Sequence, residues 1–252
     1  MARRNLPDDI DLFFLVGVIL SFLMINYNMP LAIIYAYMVL LGAVMYLAPI
    51  QFNLFRWIPL VKQRGVFWQK VLVGSGFGYL FIQVYNAFSD TPMATVFATT
   101  IFGQSEILTK LVYSGLIPPV ETIFFFVTIL IWWAWKIGVD VERISPFSAD
   151  AIKLEVLFGA IFVVFHATAK GVEDNAALFL TFLFGVLSIA MIFYFKEAIQ
   201  AVVMHIFVNA WAMKVFAAIS ASLTTASSLP ILIGAALIIY FITSRNPKNI
   251  LS

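Results

Sequence analysis

Three ionisable side chains, Glu121, His166 and His205, sit in stretches of the chain that are otherwise apolar, and the two histidines are the only ones present. A titratable group inside a membrane-spanning segment is costly, so its presence argues for a use. Asn209 follows His205 at i+4, which puts the pair on one face of a helix. Glu121 comes just after Pro118-Pro119, and prolines of this kind commonly open a helix. A carboxylate in such a first turn is favoured by the helix dipole and disfavoured by apolar surroundings. These residue types have a joint chemical use. A Glu and a His together orient and deprotonate a water. A second His and an Asn amide donate hydrogen bonds to a developing oxyanion. The set suits hydrolysis of a peptide bond by water without a covalent intermediate. Two His and one Glu are also a catalytic zinc set with an open fourth position. In a metal-dependent version the ligands would be Glu121, His166 and His205. Asn209 beside His205 fits an oxyanion hole better than a ligand shell, so no cofactor is expected.

The elements that must hold these groups follow from composition. Of the 252 residues, 63% are apolar, 16% aromatic and 11% charged, and mean hydropathy is +1.00. A soluble domain carries about 25% charged residues, and a fold of this size cannot hide so much apolar surface from water. The expectation is an all-α, polytopic integral membrane protein forming one domain over 1–252, with the lipid bilayer as its first partner. A soluble enzyme, a DNA-binding domain and a disordered chain are excluded. The net charge of +2 gives no ground for a nucleic-acid partner. The absence of cysteine excludes disulfides, iron–sulfur clusters and thiolate metal sites.

About 20 apolar residues cross the hydrocarbon. Runs over 10–26, 31–48, 66–88, 116–136, 151–169, 177–195, 197–219 and 229–243 predict about eight transmembrane helices. The segment 50–64 mixes aromatic rings with Arg56, Lys62 and Arg64, as an interfacial helix does. Gly74-x-Gly76-x-Gly78 lacks the strand–turn–helix setting of a phosphate loop and marks close helix packing. Trp132, Trp133 and Trp135 beside Lys136 read as an interface anchor, and Lys196-Glu197 as a turn. The stretch 92–112 is a span, a re-entrant hairpin or a surface helix, and cation placement arbitrates. If it does not cross and the N-terminus is cytoplasmic, 12 of the 15 Lys and Arg lie inside; if it crosses, that bias is lost. Both termini are therefore expected in the cytoplasm, with the protein in the cell membrane, or in the endoplasmic reticulum of a eukaryote. Residues 1–11 lack a small-residue cleavage site and read as a polar tail. No internal repeat is visible, which speaks against a small-solute transporter.

Depth brings the four polar groups together. Glu121 lies about five residues into its run and His166 about three from the end of the next, so antiparallel spans put both near one face. Asn209 and His205 then lie roughly ten and fourteen residues below that face, at about 1.5 Å each. Pro118-Pro119-Val120-Glu121-Thr122-Ile123-Phe124-Phe125-Phe126, then Phe162-x-x-x-His166, then His205-x-x-x-Asn209, over 116–211, resembles the three-motif pattern of the type II CAAX prenyl endopeptidases. That family includes the Ras-converting enzyme and the prokaryotic CAAX-protease/bacteriocin-processing proteins. The resemblance implies an intramembrane glutamate protease fold of about eight helices that cuts a membrane-associated peptide or protein. It also implies that Glu121 and His166 activate water while His205 and Asn209 form the oxyanion hole. The family usually shows Glu-Glu-x-x-x-Arg, where this chain has Thr122 and Phe126 at the second Glu and the Arg. Family members open their site to the cytosol, whereas the cation count puts Glu121 and His166 near the outer face. The alternative is a catalytically inactive relative acting in peptide binding, immunity or scaffolding.

Overall fold

Long apolar runs become helices in a bilayer because only helical bonding satisfies every backbone N–H and C=O within the segment. A computed structural model of the chain describes residues 15–17, 19–20, 33, 36–40, 64–89, 112–141, 143–169 and 172–213. Every regular element among them is helical. Four of these helices are long and apolar enough to cross a membrane, and a fifth, shorter one is also apolar. The expected spans 10–26, 31–48 and 229–243, the interfacial helix over 50–64 and the stretch 92–112 lie wholly or mostly outside the described residues, as do both termini. The count of eight therefore rests on runs outside them.

Helix α1 is Arg64–Phe88. Helix α2 runs over 112–136 without a break, as π-helical Val112–Leu116, α-helical Ile117–Ile123, π-helical Phe124–Ile129 and α-helical Leu130–Lys136. Helix α3 is Ala149–Ala169, α4 is Asn175–Phe195 and α5 is Ile199–Ala212. Of the candidate spans, α2 is the innermost, with 67% of its window buried against 33% for α1. Its prolines do open an α-helical stretch, but the chain is already helical before them. Proline has no N–H for the preceding turn, and the wider π turn absorbs the mismatch. Glu121 is thus not in a first turn, as expected from the prolines. It lies eight residues past Tyr113, where the span begins, at a depth of about 12 Å.

The two ends of the bundle are fixed by separate polar clips. At one end Ser89, just past α1, donates its hydroxyl to Asp174 Oδ2 at 3.1 Å. Asp174 also caps α4, accepting from the backbone N–H of Ala176 at 3.1 Å and of Ala177 at 3.4 Å. At the other end Lys196 turns α4 into α5 with a left-handed φ of 56°. Its ammonium donates to the carbonyls of Ile144 at 2.5 Å and Val141 at 3.4 Å, in the connection between α2 and α3.

Glycines set how closely the helices approach, as expected for Gly74 and Gly78. A Cβ on Gly74 would lie 2.6 Å from the Gln200 carbonyl oxygen, and one on Gly78 would lie 3.1 Å from that of Met204. In the α3–α4 hairpin a Cβ on Gly185 would come within 2.9 Å of Gly159 Cα. Small residues are how membrane helices maximise van der Waals contact. At the Lys196 end of the α1–α5 seam, buried Lys70 pairs with buried Glu197, whose other oxygen accepts from Gln200 Nε2 at 2.7 Å. Glu197 is therefore a partner of α1 and does more than mark a turn. Trp132 also departs from expectation: it is 6% exposed and packs in the core, while Trp133 faces outward. A helix advances 100° per residue, so on a helix packed mainly on one side Trp132 turns inward where Trp133 turns out.

Candidate functional site

The site begins with Glu121, which is wholly buried on the innermost helix. Opposite it, α5 presents His205, 3% exposed, with Nε2 3.5 Å from Glu121 Oε2. The next residue of α2, Thr122, is also fully buried and reaches the other ring nitrogen: Thr122 Oγ1 and His205 Nδ1 are 3.0 Å apart. Two successive side chains of α2 thus face the two nitrogens of one imidazole, Thr122 at hydrogen-bond distance and Glu121 at ion-pair distance. The α1–α5 seam seats α5 against the bundle on its other side, through Gly74 and Gly78.

His166, near the end of α3, is 6% exposed, and its Nδ1 lies 2.9 Å from the Phe162 carbonyl one turn earlier. A carbonyl only accepts, so Nδ1 carries a proton, and the neutral ring has its lone pair on Nε2. The Phe162 ring links the two histidines, with its centroid 4.2 Å from the His166 ring and 6.0 Å from that of His205. Phe184 closes the other side of His205 at 4.9 Å, edge to face. The spacing Phe162-x-x-x-His166 therefore has a local meaning: the phenylalanine supplies both a carbonyl and a ring to the histidine.

Asn209, 2% exposed, stands one turn beyond His205 and donates Nδ2–H to the Tyr113 carbonyl at 3.0 Å. In a π register a carbonyl at Tyr113 counts five residues on to Pro118, whose nitrogen has no hydrogen. The amide of α5 supplies one instead and ties α5 to the start of α2.

Of the four residues picked out by type and spacing, Glu121 and His205 are in direct contact. His166 reaches His205 through the shared Phe162 ring, and Asn209 shares the helix of His205. Among the described residues no three His, Asp or Glu side chains form a group placed to hold a metal ion, so Glu121, His166 and His205 are not assembled as a zinc set. Thr122 was legible only as a departure from a motif, and nothing in its spacing announced a contact to His205. Phe126, at the other departed position, is fully buried with its ring 4.8 Å from that of Phe162. Where an arginine would bring charge, this chain fills the core with aromatic surface. No protein-family model, curated protein or solved structure matches the chain.

Proposed function

We propose that the protein is an intramembrane endopeptidase of the CAAX-protease type, hydrolysing a peptide bond of a membrane-associated peptide or protein. The observation that carries this reading is a wholly buried carboxylate, Glu121, held 3.5 Å from a buried His205 within a bundle of membrane-type helices. Structural glue between membrane helices needs only neutral hydrogen bonds, and where this bundle does use a carboxylate as glue, at Glu197, it is paired with a lysine, whereas Glu121 faces a histidine.

In the proposed reaction Glu121 takes a proton from a water, with His166 Nε2 as the second acceptor that the family resemblance implies, and the hydroxide so formed attacks the scissile carbonyl. The carbonyl π bond opens to an oxyanion, which accepts hydrogen bonds from His205 Nε2–H and from the second hydrogen of the Asn209 amide. Collapse re-forms the carbonyl and breaks the C–N bond, and the proton held by Glu121 passes to the leaving amine. No metal enters these steps. The protein would sit in the cell membrane, or in the endoplasmic reticulum of a eukaryote, with the Lys196 end cytoplasmic. Lys70, Lys136, Arg143, Lys153 and Lys196 at that end support this orientation.

A second reading, an inactive relative that binds peptides or partner helices, is favoured by Phe126, which fills the arginine position with a buried ring. Comparison of membrane peptidomes between wild type and Glu121→Ala at matched expression separates the two. The protease reading expects peptide termini that occur only with wild type. Identical peptidomes, with His166→Ala and His205→Ala equally silent, would reject it in favour of binding.

A further inference from the structure

Thr122 stands where the resembled family places a glutamate, yet its hydroxyl lies 3.0 Å from His205 Nδ1 in a fully buried position. The far side of the same ring faces Glu121 Oε2 across 3.5 Å. With Glu121 ionised, as a base that takes a proton from water must be, the carboxylate only accepts, and the nitrogen facing it then carries the hydrogen. In a neutral imidazole that leaves Nδ1 as the acceptor, and the Thr122 hydroxyl is the donor that meets it. His166 is held the other way round, because its Nδ1 faces the Phe162 carbonyl. The two histidines thus hold opposite tautomers, each selected by a different neighbour.

We infer that Thr122 is a positioning residue that fixes His205 in the tautomer whose Nε2–H points at Glu121 and at any oxyanion formed beside it. The tautomer assignment stands on geometry alone, and its effect on turnover rests on the proteolytic reading above. With the hydrogen on Nε2, His205 acts as a donor and not as a base. His166 Nε2 keeps the lone pair and serves as acceptor. An ionised glutamate at position 122 would not do the same work, since a second carboxylate would ask for hydrogen on Nδ1 as well and would favour the charged ring. The exchange of Glu for Thr therefore changes the state of His205 and does more than delete a group.

The presence of only two histidines makes the test direct. Purified protein carrying 15N-labelled histidine is observed by NMR in micelles, with His166→Ala used for assignment. Wild type is expected to show His205 with Nδ1 unprotonated and Nε2 protonated, and His166 with the reverse. Thr122→Val keeps the volume and removes the hydroxyl, so the His205 nitrogens should shift towards a mixture of tautomers, while Thr122→Ser should restore the wild-type pattern. If wild-type His205 carries hydrogen on Nδ1, or if Thr122→Val leaves its spectrum unmoved, the inference is overturned. Thr122→Ala replaces Thr122→Val if the latter does not fold. On a cleaved substrate, Thr122→Val should lower kcat about tenfold with KM unchanged, the effect of one lost hydrogen bond. An unchanged kcat beside a shifted tautomer would reject the oxyanion role of His205 and leave Thr122 as its positioning residue. Absence of any proteolysis by wild type would reject the proposed function without altering the NMR result.

Discussion

Replacing Glu197 by alanine should be among the most damaging single changes outside the site. Lys70 and Glu197 are buried, with side-chain exposures of 5% and 8%, and Glu197 also accepts from Gln200 Nε2 at 2.7 Å. Removing one partner of such a pair strands the other charge in the interior, which costs about 3–5 kcal/mol. Unfolding of purified protein by SDS in mixed micelles should show this loss for Glu197→Ala. For a chain of this size it corresponds to a fall in Tm on the order of 10 °C. The double change Lys70→Met with Glu197→Leu removes both charges and keeps the volume. It should recover all but about 1–2 kcal/mol, the remainder being the Gln200 amide deprived of its acceptor. The reasoning is refuted if Glu197→Ala costs less than about 1 kcal/mol, or if the double variant is no more stable than the single one.

The other predictions concern helix approach and helix ends. Gly74→Ala should destabilise by about 1–3 kcal/mol, because the new Cβ would meet the Gln200 carbonyl oxygen at 2.6 Å. Gly115→Ala, with nothing within 4 Å of the added atom, should be neutral or slightly stabilising in the same unfolding assay. Asp174→Ala removes the cap of α4 together with the acceptor for Ser89, and should cost about 1–2 kcal/mol. Ser89→Ala should cost less than Asp174→Ala, and hydrogen exchange at Ala176 and Ala177 should rise only for the Asp174 variant. At the α4–α5 turn, Lys196→Ala keeps the strained φ of 56° and loses the bonds to Ile144 and Val141, whereas Lys196→Gly relieves the strain. Thermal unfolding should therefore rank glycine above alanine by about 1 kcal/mol.

Among the described residues hydropathy located the helices well, because the bilayer imposes one length and one composition on each. The run 177–195 became Asn175–Phe195 and 151–169 became Ala149–Ala169, differences of two residues set by the Asp174 cap and the Ser148 turn. What hydropathy could not supply is which face turns inward. A membrane helix is apolar on its lipid side and on its protein side, so the amphipathic signal that orients a soluble helix is missing. Trp132 and Trp133 are adjacent in sequence and opposite in burial for that reason. Polar residues were more informative: Glu121 and His205 were legible as two of four groups that converge, because each is too costly to sit at random in a span, although the spacing paired Glu121 with His166 and not with His205. Lys70 and Glu197 obey the same logic, yet both lie near the ends of apolar runs, where a charge that snorkels to water looks the same as one that is paired. The contact of Thr122 with His205 was illegible because a single hydroxyl in a helix is ordinarily satisfied by its own backbone.

The Lys70–Glu197 pair also bears on the order in which the bundle is assembled. Its partners are separated by 127 residues, whereas α3–α4 and α4–α5 are joined by short turns. At about 5–20 residues per second of synthesis, Glu197 emerges roughly 6–25 s after Lys70. During that interval the lysine has entered the membrane before its carboxylate exists. Lys70 lies only six residues from the start of α1, so its flexible stem can carry the ammonium to the interface while it waits. Closure of the α1–α5 seam is then the last contact to form among the described helices. It withdraws a charge from the water into the protein, and it does so only once the helix bearing His205 has arrived. The site and the α1–α5 seam are thus delivered to the membrane by the same segment of chain.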